Sequence, residues 1–238
     1  MDLICYLSNG YPSIESSKQM ARNYVDAGCD IIEIDFPARE PYLESPYLAD
    51  RMAKALEVCG DYNRYMAAMA GIKRGLPSTR FILLAYEATV LEIGCEAFIS
   101  FCRENDFTDM ILVGLRDDAV KNRLIAAGIR VSCYVQFHMP ADQIASAKAS
   151  NSFVYMQGKP DKGQVSSAFP TLKDCIAHLR AQGIDRPIYC GVGIHSPADV
   201  EMAKKSGADG VFVGSAILKL QEDLSAMQDM IRLFKAAC

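Results

Sequence analysis

Eight short runs rich in β-branched and other apolar residues recur along this sequence, each separated from the next by a segment with helical periodicity. The runs are LICYL (3–7), DIIEIDF (30–36), RFILLAY (80–86), DMILVG (109–114), RVSCYV (130–135), SFVYM (152–156), PIYCG (187–191) and GVFVG (210–214). Most are nearly continuous in apolar residues instead of alternating, the pattern of parallel strands buried on both faces. The intervening segments carry helix caps. Ser13 opens a segment that stops at Gly28, Asp117 opens one that stops at Gly128, and Ser196-Pro197 opens one that stops at Gly207; small polar residues start helices and glycines end them.

Eight strand–helix units predict an α/β fold, a (β/α)8 TIM barrel. A doubly wound open sheet uses the same alternation, but the unit count and the glycine turns near the end favour the barrel. The first strand begins at residue 3, with no helix before it. The one long insertion, 37–79, is read as a loop and two helices, 46–58 and 61–75. No linker or low-complexity tract appears, so residues 1–238 are expected to form one domain.

Composition narrows the function classes. A chain of 238 residues suits one barrel, and 50% hydrophobic with 23% charged residues excludes a disordered chain. The net charge is -4 and no basic cluster is longer than Lys204-Lys205, which gives no electrostatic footprint for nucleic acid or an anionic membrane. No apolar run approaches the ~18 residues of a membrane span, and Asp2 after Met1 does not start a secretory signal; a cytoplasmic location is expected. The nine cysteines include no Cys-x-x-Cys pair, so they read as small buried hydrophobes in a reducing compartment, with neither a metal site nor a disulfide frame.

In barrels of this kind the reacting groups sit at the carboxyl ends of the strands and in the loops that follow. The seventh run ends in Gly191-Val192-Gly193-Ile194, and the eighth in Gly214-Ser215-Ala216-Ile217. Glycine permits close approach of the backbone to an anion, and a helix start aims free N–H groups at it. One such turn is weak evidence, since glycine also serves purely conformational ends. The pair after the last two strands predicts phosphate binding.

In DIIEIDF the period of two places Ile31, Glu33 and Asp35 on one face and Ile32, Ile34 and Phe36 on the other. A carboxylate inside a dry core has its pKa pushed upward and suits general acid and base work. Glu33 is therefore the first catalytic candidate; its structural alternative is a buried ion pair with Arg or Lys. Asp35 either shares the site or binds backbone N–H groups of the next loop. That loop, FPAREPYLESP, brings Glu40 and Glu44 toward the same end. His138, His178 and His195 suggest neither a triad nor a metal site, although His195 follows the glycine turn and is within reach of a phosphate there.

These motifs, in this order, resemble the tryptophan synthase alpha subunit family along essentially the whole chain. YLSNGYPSIESS is similar to the family's first strand and turn, and AGCDIIEIDFPAREPYLESP to the stretch around its strand glutamate. ILLAYEATVLEIG resembles the third strand, and CGVGIHSPADVEMAKKSGADGVFVGSAILK the phosphate-binding end. The resemblance implies a cofactor-free lyase that splits indole-3-glycerol phosphate into indole and glyceraldehyde 3-phosphate, and a tryptophan synthase beta subunit as partner. It assigns Glu33 the acid/base role, and Glu44 the place of an aspartate that faces the indole nitrogen. Tyr6, Tyr86 and Tyr155 fall where aromatic residues line the substrate site, with core packing as the alternative. Gly191, Gly193, Gly214 and Ser215 match the phosphate turns, and Gly163 matches a glycine of the loop after the sixth strand.

The chain departs from the family's pattern at several of these places. Asp35 stands where the family has glycine, Leu115 where it has an aspartate, and Lys162 near its closing threonine, where a lysine would bind an extra carboxylate or phosphate. Two other readings follow from these departures: a divergent barrel enzyme acting on a different phosphorylated substrate, and a non-catalytic subunit that serves a beta-type protein.

Overall fold

Each expected strand forms, and one of them divides. In the computed structural model, which describes all residues 1–238, the run 130–135 becomes two short strands on either side of Ser132. There are therefore nine strands: β1 (Asp2–Leu7), β2 (Ile31–Asp35), β3 (Arg80–Tyr86), β4 (Asp109–Val113), β5 (Arg130–Val131), β6 (Cys133–Val135), β7 (Val154–Gln157), β8 (Ile188–Gly191) and β9 (Gly210–Val213). They form one sheet in the order β5-β4-β3-β2-β1-β9-β8-β7-β6. β5 pairs in parallel with β4, through Asp109↔Arg130 and Met110↔Val131, and β6 pairs in parallel with β7 from Cys133↔Val154 onward. One run thus supplies both end strands of the order. This is the topology of a (β/α)8 barrel whose fifth strand changes partner at Ser132.

The chain divides into two compact units, Cys5–Val131 and Met1–Ile4 with Ser132–Cys238. In the first, α1 (Ile14–Asp26) is capped by Ser13, whose side chain accepts from the Ser16 N–H. The insertion after β2 holds the expected helices, α2 (Pro46–Val58) behind Ser45 and α3 (Tyr62–Gly75) behind Asp61. After β3 come α4 (Glu87–Ile93) and α5 (Cys95–Glu104), and after β4 comes α6 (Ala119–Ala126). Phe36, at the end of β2, lies 5.5 Å from Phe98 and 6.0 Å from Phe101, both on α5. The Ile32-Ile34-Phe36 face of β2 is therefore committed to packing against a helix, which leaves Glu33 and Asp35 on the other face. Burying such aromatic pairs is worth about 0.5–1.5 kcal/mol beyond their area.

The second unit carries α7 (Ala141–Ala149), α8 (Leu172–Ala181), α9 (Pro197–Lys205), α10 (Ser215–Leu218) and α11 (Leu224–Ala237). Thr171 with Asp174 and Ser196 with Asp199 form complete capping boxes on α8 and α9, each satisfying two backbone donors that a helix start leaves open. Tyr155 of β7 stacks on Phe212 of β9 with centroids 4.4 Å apart. Eight of the nine cysteines are buried, as their place in apolar segments implied. No helix is long and apolar enough to cross a membrane.

Candidate active site

β2 is buried along its whole length, so its two acidic side chains are held away from water: Glu33 is 6% exposed and Asp35 is 0% exposed. Burial, reinforced by the negative charges of Glu44 and Asp35, pushes the Glu33 carboxyl up to about 8. Burial also raises Asp35, but the Asn9 N–H and the Tyr6 hydroxyl pull it back to about 7. Those two donors are 2.6 Å from Oδ1 and 2.9 Å from Oδ2 respectively. At neutral pH, then, Glu33 carries a proton it can give, and Asp35 is held above the usual carboxylate range. Asp35 does bind a backbone N–H, but from the loop after β1, not from the loop after its own strand.

Of the two loop carboxylates, only Glu44 joins this group. Glu40 is exposed, and its neighbour Arg39 is turned toward Glu92, 2.7 Å away. Glu44 is half-buried; burial raises its carboxyl while a hydrogen bond from the Tyr86 hydroxyl lowers it. The same hydroxyl accepts from the Leu43 N–H at 3.1 Å. Tyr86 is buried, against Ala38, Met52 and Val113, so this side chain fixes the loop that carries Glu44. Tyr6 likewise spends its hydroxyl on Asp35, and its phenol is raised well above its ordinary value by burial and by three nearby carboxylates.

In the second unit, β8 ends in the expected glycine turn. A Cβ added at Gly191 would clash with the Tyr155 ring. Gly193 takes φ +93°, and a Cβ there would lie 2.8 Å from Cβ of Lys159. Between them Val192 has φ +56°, a conformation that costs a β-branched residue roughly 1–3 kcal/mol and persists where the surroundings enforce it, as at functional sites. The Gly158 N–H donates to the Gly191 carbonyl at 2.6 Å. Lys159 crosses the turn, its stem on Gly193 and its Nζ 2.5 Å from Asp199 Oδ1. Burial pushes the Asp199 carboxyl up, but Lys159, the His195 N–H and Ser196 outweigh it and hold the group below its usual range. His195 is engaged here through its backbone, at 2.9 Å from Asp199, while its residue is exposed.

Gly214 and Ser215 begin α10, where the first amides of a helix have no carbonyl partner within it. Lys162 and Gly163 are exposed in a turn closed by the Gln164 N–H and the Asp161 carbonyl. Gly163 has φ +82° with open space around it, so conformation alone accounts for the glycine. Tyr155 is half-buried between Phe212 and Tyr134 and lies against Gly191.

Three residues were not singled out from the sequence. Asn9 reads there as part of a turn, and Lys159 as one of two lysines in QGKPDKGQ. Glu87 is buried, and its Oε2 accepts from the Arg116 N–H at 2.8 Å, tying down the loop that exposes Leu115. No group of three or more His, Cys, Asp and Glu side chains is arranged to hold a metal ion.

A family model described as tryptophan synthase alpha chain matches residues 1–237. The tryptophan synthase alpha chain of Picosynechococcus sp. is 27% identical over 246 residues, covering 99% of this chain and 92% of its own length. That of Mycobacterium bovis is 29% identical over 224 residues, covering 91% and 80%. A crystal structure of tryptophan synthase from M. tuberculosis in its aminoacrylate-bound form matches with a TM-score of 0.83 at 25% identity, over 99% of this chain and 92% of that one.

Proposed function

Because the chain belongs to the tryptophan synthase alpha chain family, we propose that it is a carbon–carbon lyase that cleaves indole-3-glycerol phosphate to indole and glyceraldehyde 3-phosphate. The observation that carries this reading is Glu33, buried and with a carboxyl raised to about 8, which equips it to deliver a proton at neutral pH. In the reaction, Glu33 protonates C3 of the indole ring. The resulting carboxylate accepts the proton of the glycerol hydroxyl next to that carbon. As the hydroxyl oxygen becomes a carbonyl, the bond from C3 to the chain breaks and its electron pair returns to the ring, so protons and electrons balance. Glu44 stabilises the positive charge that develops at the ring N–H.

Tyr86 acts in this reading as the positioning residue of Glu44, and Tyr6 as that of Asp35. Gly191, Gly193, Gly214 and Ser215 hold the phosphate of a small phosphorylated substrate through backbone N–H groups, with Gly163, Lys162 and Tyr155 as further contacts. The reaction calls for no cofactor. Residues 1–238 act as one domain in the cytoplasm, and the partner is a tryptophan synthase beta subunit.

A different phosphorylated substrate is the second reading, favoured by the polar set Tyr6, Asp35 and Asn9. The deciding experiment measures indole release from indole-3-glycerol phosphate, with and without an added beta subunit, for the wild type and Glu33→Gln. Release that falls by about 100-fold or more in Glu33→Gln is expected. No release from the wild type under either condition would overturn the lyase reading, and equal release from both proteins would remove Glu33 from the chemistry.

A further inference from the structure

Asn9 has a side-chain amide that the protein leaves without a partner. The residue is 1% exposed, and neither its Oδ1 nor its Nδ2 makes a hydrogen bond. Native proteins rarely leave a buried amide in that state, because it has given up water and gained nothing in return. Its backbone is held from both sides: the Asn9 N–H donates to Asp35 at 2.6 Å, and the next N–H, of Gly10, donates to Ser17 Oγ at 2.7 Å. The backbone that carries this amide is thus fixed beside Asp35, whose charge is felt by Glu33.

We propose that the Asn9 carboxamide is a substrate-binding group that recognises a hydroxyl group on the ligand's chain. A carboxamide offers one acceptor and a donor pair, and a hydroxyl group, which both donates and accepts, satisfies both ends. An unsubstituted hydrocarbon chain satisfies neither. Asp35 accepts from Tyr6 and from the Asn9 backbone, whereas the Asn9 side chain has neither of its polar atoms engaged. For the lyase reading the hydroxyls are those of the substrate's glycerol chain, and that identification, with the phosphate the chain carries, rests on the proposed function. The site selects between ligands by the principle that a buried polar group built for a hydroxyl rejects the analogue lacking it.

Calorimetry with two phosphates of equal chain length tests this. The wild type is expected to bind glycerol 3-phosphate about tenfold more tightly than propyl phosphate, the difference one good hydrogen bond supplies. Asn9→Ala should lose that difference by weakening glycerol 3-phosphate alone. Asn9→Leu, of similar size, removes the unpaired polar atoms and should raise the melting temperature of the free protein while also losing the discrimination. Indole-3-glycerol phosphate against indolepropanol phosphate, which lacks the hydroxyls, should repeat the pattern. Equal binding of glycerol 3-phosphate and propyl phosphate by the wild type, or binding of neither, overturns the proposal, as does discrimination that survives in both variants. A wild type that discriminates yet releases no indole would sink the lyase reading and leave this one standing.

Discussion

The Tyr6 hydroxyl donates to Asp35 Oδ2 at 2.9 Å, joining the carboxyl end of β1 to that of β2 inside a buried environment. Together with the Asn9 N–H on the other oxygen, it gives the ionised form of Asp35 two donors, and the group settles at about 7. Glu33, two residues earlier on the same face, is moved by burial and neighbouring negative charge and rests at about 8. Both carboxyls are raised by burial, but only Asp35 has hydrogen-bond donors that favour its ionised form.

Removing one of the two donors should raise Asp35. A hydrogen bond to a charged group is worth ~1.5–3 kcal/mol, and 1.36 kcal/mol corresponds to one pKa unit, so Tyr6→Phe is expected to shift the Asp35 titration upward by about one unit or more. Carboxylate infrared difference spectra, with Asp35→Asn to assign the band, measure it. An unmoved band would show that the Tyr6 hydroxyl does not contribute to the value.

The raised carboxyls make stability depend on pH in a defined direction. Glu33 moves from an ordinary 4.5 to about 8 on folding, so between those values the folded state binds more protons than the unfolded one. Stability is then highest at low pH within this window and is lost as pH rises through about 8. Asp35, moving from 3.8 to about 7, acts in the same direction. Glu33→Gln cannot ionise, and its stability relative to the wild type should increase from pH 5 to pH 8 by up to roughly 3 kcal/mol. Urea denaturation at the two pH values checks this; a difference that is flat or reversed would mean Glu33 is not neutral in the folded protein.

Much of this was legible from local pattern. The continuous apolar runs and the Ser and Gly caps act within a few residues, and the period of two in DIIEIDF exposed Glu33 and Asp35 directly. What escaped depends on distant partners. Nothing within RVSCYV marks Ser132 as a break, because the break arises from its neighbours β4 and β7. Tyr86 looks like one more aromatic on an apolar strand until a loop 43 residues earlier returns to its hydroxyl. Lys159 and Lys162 are alike in sequence, and only the former meets Asp199, on a helix that starts after the next strand.

Tyr86 holds the Glu44 loop through one oxygen, bonded to Leu43 N–H and to the carboxyl itself. Tyr86→Phe keeps the buried ring and should cost only about 1 kcal/mol of stability. It also removes the bond that lowers Glu44, so that carboxyl rises, and it frees the loop. Since a displacement of ~1 Å can cost ~100-fold in rate, kcat for indole release is expected to fall about 10- to 100-fold with a smaller change in KM. An unchanged kcat, with the small loss of melting temperature present, would show that Glu44 works without being held.

Gly191 is the position in the glycine turn after β8 where the neighbouring ring leaves no room for a side chain. Its backbone lies against Tyr155, which cannot easily retreat because it is stacked on Phe212 and set edge-on to Tyr134 at 5.5 Å. Gly191→Ala should therefore cost about 1–3 kcal/mol through overpacking, lowering the melting temperature by several degrees for a chain of this size. The turn would shift with it, and affinity for inorganic phosphate should drop. In a Tyr155→Ala background the added methyl has space, so the penalty of Gly191→Ala should largely vanish, a coupling that a double-mutant cycle in thermal denaturation reads directly. Additive losses would mean that Tyr155 does not confine this turn, and that the glycine is there for the approach of the ligand alone.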